Sequence, residues 1–132
     1  MIAKTFSATV LGIDAYLIEV EVDVSVGMSV FNIVGLPDGT IKESRDRILS
    51  AVNNSGYSFP VRRVVVNLAP ASLRKIGSGF DLPIALALLG TMGLFPPENL
   101  SRAMVVGELS LDGEIRPVRG ILPVAVSARE HE

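Results

Sequence analysis

Cysteine is absent from these 132 residues, and histidine occurs once, as His131. Disulfides, thiolate nucleophiles and zinc–thiolate centres are thereby excluded, and one imidazole cannot build a histidine metal site. No apolar run approaches the roughly 20 residues of a membrane span, and no basic-then-apolar leader opens the chain. The expectation is a cytoplasmic protein with no membrane partner. Aromatic residues are few, five Phe and two Tyr, and none interleaves with the arginines as base-stacking residues would. The phosphate cradle GxxxxGK followed by Ser or Thr is nowhere present, and neither is GxGxxG.

What is present is enough for a folded domain. Apolar residues make up 48% of the chain and charged ones 20%, which rules out a disordered polyelectrolyte. Net charge is −2, so no global basic field exists, but the charge is unevenly spread. Seven basic residues (Lys42, Arg45, Arg47, Arg62, Arg63, Arg74, Lys75) face two acidic ones (Glu43, Asp46) between Ile41 and Lys75. Arg45, Arg47, Arg62 and Arg63 form a candidate basic patch for phosphate or for a neighbouring domain.

Periodicity sets the elements. Residues 15–26 alternate apolar and polar, as a strand with one buried and one wet face does. With residues 3–11 and 30–34 they are expected to form a three-stranded meander. Asp38 or Thr40 is placed to cap a helix running to about Ser55, with Ile41, Ile48, Ala51 and Val52 as its apolar line and Glu43–Arg47 and Lys42–Asp46 as ion pairs. A strand over Arg63–Leu68 then leads into a loop and a helix from Leu82 to about Met92 that is apolar all round. A strand over Ala103–Leu109 follows, then an Asp112–Gly113 turn of type I′, a strand over Ile115–Val118 and a last helix, Ile121–His131. The order βββαβαββα makes an α+β domain, residues 1–132 forming one unit with its helices on one face of a mixed sheet. The closing SAREHE falls inside a helical pattern, so the chain is read as a fragment of a longer parent.

Chemistry concentrates in Asn67–Leu89. A strand end delivers a loop carrying Arg74, Lys75, Gly77, Ser78 and Gly79 to a helix whose N-cap is expected to be Asp81, with Pro83 in the first turn. Helix N-termini attract anions, so this loop is a candidate contact for DNA or a partner, the alternative being a merely solvated connection; in this domain alone it is expected to be mobile and to present both cations until such a contact orders it. Asp81 is read as a cap and not as an acid catalyst, since no titratable partner lies near it in sequence. Asn67 is expected to hold the following loop by hydrogen bonds. Glu108, Asp112 and Glu114 match no calcium-loop spacing and are read as turn charges, so neither catalytic nor metal-binding residues are assigned.

Three stretches, FNIVGLPDGTIKESRDRILSAVNNSG, VNLAPASLRKIGSGFDLPIALALL and VVGELSLDGEIRPVRGILPVAVSARE, closely resemble the N-terminal domain of the magnesium-chelatase-like AAA+ ATPases, the ComM/YifB group. The resemblance covers nearly the whole chain. It implies the ribosomal-protein-S5-domain-2-like fold, shared with the proteolytic domain of Lon and containing a left-handed βαβ crossover, an exception to the usual hand. It further implies a C-terminal AAA+ module with Walker motifs, ATP and magnesium bound by that module, a ring-forming homo-oligomer and a DNA-processing role. No cofactor and no activity are expected for these 132 residues themselves. The similarity to Lon places Asp81 at about its serine position and Val124 at about its lysine position. A Ser–Lys dyad needs a hydroxyl beside an amine, so the domain is read as non-proteolytic. Two other readings stand beside it: a Lon-like peptidase using Ser78 or an unrecognised nucleophile, and small-molecule phosphate binding at Gly77–Gly79.

Overall fold

The computed structural model describes residues 1–131. Strands β1 (Ile2–Leu11) and β2 (Asp14–Ser25) form a long antiparallel hairpin, and β3 (Val30–Val34), α1 (Asp38–Asn54) and β4 (Arg63–Ala69) follow. Then come α2 (Asp81–Thr91), a short 3-10 helix (Pro97–Arg102), a two-residue ribbon of β5 (Glu108–Leu109) and β6 (Ile115–Arg116), and α3 (Ile121–Glu130). The element order is the βββαβαββα expected, and the sheet is mixed.

The first three strands are not a meander. Sheet order is β1-β2-β4-β3, with β4 inserted antiparallel to β2 and parallel to β3. Alternation reveals which face of a strand is buried but not which strand lies beside it, and a strand–helix–strand unit favours parallel neighbours. Gly35 makes the exit from β3 possible. Its φ is +103°, and a Cβ there would stand 2.3 Å from the Leu68 carbonyl oxygen.

One face of the sheet carries Ile18, Val20 and Val22 of β2 and Val64, Val66 and Leu68 of β4, all fully buried. α1 contributes Ile48, Ala51 and Val52 to this core, and α2 contributes Ile84, Ala85, Ala87 and Leu88. α3 instead lies over the opposite face of the β1–β2 hairpin. Its entry at Gly120 abuts Val10, and its outer turns share clefts with Ala15 and Leu17, whose side chains alternate with the core-facing Ile18. Only α1 and α2 therefore share the expected face.

Caps and turns also differ from expectation. α1 is capped by the Pro37 backbone, whose carbonyl accepts from Thr40 and Ile41, and neither Asp38 nor Thr40 caps it through its side chain. The Asp112–Gly113 turn is not type I′, because only Gly113 has positive φ; Gly113 N–H donates to the Ser110 carbonyl inside a longer loop. The expected strand over Ala103–Leu109 is reduced to a parallel bridge of Met104 with Phe6 and the two residues of β5.

Candidate functional site

Asp81 is the first helical residue of α2; Phe80 holds the cap position, and no side chain caps the helix. The Asp81 carboxylate is fully buried and turned away from the helix N–H groups. It accepts from Ser44 Oγ at 2.7 Å, from Arg47 Nε at 2.6 Å and Nη2 at 3.2 Å, and from the Leu109 amide at 3.2 Å. The expected cap is thus a hub joining α1, α2 and β5. The Asp81 hydrogen bond raises the Arg47 pKa above its ordinary value, against the opposing effect of burial. Glu43 stands 4.0 Å from Arg47, a weak contact beside this one, and Lys42–Asp46 forms no ion pair among the described residues.

Arg47 is consequently not part of a solvent-facing basic patch. Two residues along a helix lie about 200° apart, and Arg45 reaches instead to the Phe31 carbonyl at the β3 edge, 3.1 Å away. Arg62 and Arg63 are exposed at the start of β4, with the Arg63 stem against Gly27. Arg47 is thus separated from the other three, whereas Arg45, Arg62 and Arg63 all lie toward the end of the sheet where Val30 pairs with Arg63.

The loop before α2 is tied down. Lys75 is only 4% exposed, and its Nζ donates to the carbonyls of Pro70 (2.7 Å) and Leu73 (2.9 Å). Its pKa is pushed below the ordinary lysine value by burial. Thr9 Oγ1 donates to the Arg74 carbonyl and accepts from the Ile76 amide. Farther on, Gly107 N–H donates to Gly79 O, and Leu82 N–H donates to Gly107 O, both at 3.0 Å. This overturns the expectation of a mobile loop presenting two cations. Lys75 folds back onto the loop's own carbonyls, and only Arg74 remains exposed. Asn67 does not hold the loop either; its Nδ2 donates to Glu21 Oε1 across the sheet.

Ser78 donates to Glu108, which no sequence pattern linked to it. Gly77 to Phe80 form one wall of a cleft of about 570 Å³, with Val118 to Gly120 facing them and Ala8, Val10 and Val124 supplying apolar lining. The Lon-like threading positions are therefore a buried, fully engaged carboxylate at Asp81 and an apolar wall at Val124. Asp112 accepts from Ser110 and from the Glu114 amide, which makes it a turn residue, and the Ser110 bond holds its carboxyl below the usual range. Among the described residues no three His, Asp or Glu side chains come together as a metal site. No helix is long and apolar enough to cross a membrane.

Ser44 is the residue that sequence reading passed over. It fills the gap in the α1 line between Ile41 and Ile48, and a lone hydroxyl in a buried stripe signals a buried polar partner.

Comparisons with known proteins agree with this frame. The chain is 40% identical over 129 residues to the competence protein ComM of Haemophilus influenzae, covering 98% of this chain and 25% of ComM. It is 46% identical over 118 residues to YifB of Escherichia coli, covering 89% of this chain and 23% of that protein. YifB of Salmonella typhimurium is 44% identical over 127 residues, covering 96% and 25%. The chain thus spans about a quarter of the length of these relatives. Residues 20–132 match the family model described as subunit ChlI of Mg-chelatase, so the chain belongs to the magnesium-chelatase-like family that includes ComM and YifB.

Proposed function

We propose that this chain is a non-catalytic accessory domain of a magnesium-chelatase-like AAA+ ATPase that acts in DNA processing. In this reading it serves assembly or the coupling of motor to DNA. ATP and magnesium would be bound by a separate C-terminal module, within a ring of identical subunits in the cytoplasm. The observation that carries the reading is the commitment of Asp81. Both of its oxygens are bonded to Ser44, Arg47 and Leu109, and the first α2 amides, those of Asp81 and Leu82, donate to the Ser78 and Gly107 carbonyls, so the N-terminus of α2 is engaged by the domain's own structure. The likeness to ComM supplies the competence context, and the DNA role is what the family resemblance implies. Arg74 is the one cation that the loop leaves exposed for a phosphate or a partner.

The test compares the full-length protein with a version lacking residues 1–132. The truncated protein is expected to bind nucleotide but to lose ring assembly by sedimentation or DNA-stimulated ATP hydrolysis. If both survive unchanged, the accessory reading is wrong.

The peptidase alternative draws on Ser78, whose hydroxyl meets Glu108 beside the cleft. A carboxylate is a weak base for a serine hydroxyl, and the amine of Lys75 is engaged elsewhere. Labelling by a serine-reactive probe that is lost in Ser78→Ala, together with cleavage of unfolded casein, would reinstate it. The phosphate-binding alternative is weakened in the same way, since the Lys75 charge faces backbone carbonyls. Calorimetric micromolar ATP binding by the 132-residue chain that weakens in Arg74→Ala would revive it.

A further inference from the structure

A second surface has the makings of a docking site. Where the β1–β2 turn meets α3, a groove of about 470 Å³ runs between Ile13 and the outer face of the helix. Its apolar flanks are open to solvent, with Ile13 87%, Leu122 72% and Val126 39% exposed. Leu122 and Val126 are four residues apart and so lie one above the other on the helix. Two carboxylates line the groove, Asp14 on the turn and Glu130 on the last turn of α3, and neither forms an ion pair among the described residues. Ser127 also lines it; its residue is 3% exposed, and its hydroxyl has no hydrogen-bond partner among the described residues.

We propose that this groove binds a protein segment that presents an aliphatic side chain together with a lysine or arginine. The apolar flanks would bury the aliphatic group, and the two unpaired carboxylates select a cation at its side. A phosphate backbone or an anionic lipid surface is disfavoured, because no lysine or arginine lines the groove and both carboxylates would repel it. This inference is independent of the accessory role proposed above; either can fail alone.

The test is a titration of the 15N-labelled 132-residue chain with a synthetic amphipathic peptide of about four helical turns built from Leu and Lys. The same peptide with Glu in place of Lys is the control. Amide shifts are expected at Ile13, Ala15, Leu122, Val126 and Ser127 with the Lys peptide. Leu122→Ser/Val126→Ser should weaken binding by about tenfold or more. Asp14→Asn/Glu130→Gln changes exposed groups only, so it keeps the fold, and it should abolish the preference for Lys over Glu. Shifts that map elsewhere, or equal affinity for the two peptides, overturn the proposal. Shifts at these residues that grow with protein concentration in the absence of peptide also overturn it, since the occupant is then a second copy of the chain.

Discussion

Removing the Arg47 guanidinium would leave the Asp81 carboxylate buried with only the Ser44 hydroxyl and the Leu109 amide as partners. The Asp81 side chain keeps 1% of its surface exposed and Arg47 19%, so solvent cannot replace the lost partner without the hub opening. Breaking a buried pair from one side costs about 3–5 kcal/mol; with two neutral donors retained, Arg47→Ala belongs near the lower end, about 3 kcal/mol. Against a total stability of about 5–15 kcal/mol this is a large fraction. Ser44→Ala removes one hydrogen bond to a charged group and should cost about 1.5–3 kcal/mol. The double variant Arg47→Ala/Asp81→Asn leaves no unpaired charge, so its loss should fall short of the sum of the Arg47→Ala and Asp81→Asn losses by about 2 kcal/mol. Urea unfolding followed by circular dichroism measures the parent and these four variants, with midpoints moving and slopes unchanged. An Arg47→Ala loss below about 1 kcal/mol, the worth of an exposed ion pair, would refute the argument. So would additivity in the cycle.

Three further outcomes follow from the loop and the sheet. Lys75→Glu sets a carboxylate against the Pro70 and Leu73 carbonyls and should destabilise by about 2–3 kcal/mol, whereas Arg74→Glu, at an exposed site, should stay within about 0.5 kcal/mol by the same unfolding assay. Because burial lowers the Lys75 pKa below its unfolded value of 10.5, the unfolded chain holds more protons between the two values, and stability contributed by this site should rise with pH in that window. Lys4 acts oppositely: its pKa is raised chiefly by the Glu19 hydrogen bond, so its contribution is present below 10.5 and lost above it. A pH series on Lys75→Met that retains the rise below 10.5 would contradict the assignment. Gly35→Ala should destabilise by about 1–3 kcal/mol or more, since it combines a left-handed backbone with a clash against Leu68, and a melting temperature equal to the parent's would show that the exit from β3 has been misread.

Local chemistry made most of the elements legible in the sequence. β3 falls at Val30–Val34 as expected, α1 ends a residue early and starts at Asp38, one of the two residues read as its cap, and the hairpin strands are displaced by a residue or so, because alternation and helical periodicity report directly on burial. The family was also legible, carried by long contiguous stretches. Strand order was not. Nothing in β3 says that its neighbour is β4, 33 residues farther on, since that choice depends on where α1 packs. The site was legible only as residue types. Asp81 before an apolar helix reads as a cap, because the sequence cannot show Arg47 and Ser44 arriving from α1 to outcompete the helix N–H groups. Lys75 reads as a wet cation, because the carbonyls that capture it converge only once the loop has folded. Polar groups settle their partners by geometry over long sequence separations, and burial then makes those partners obligatory. That step belongs to the tertiary structure alone.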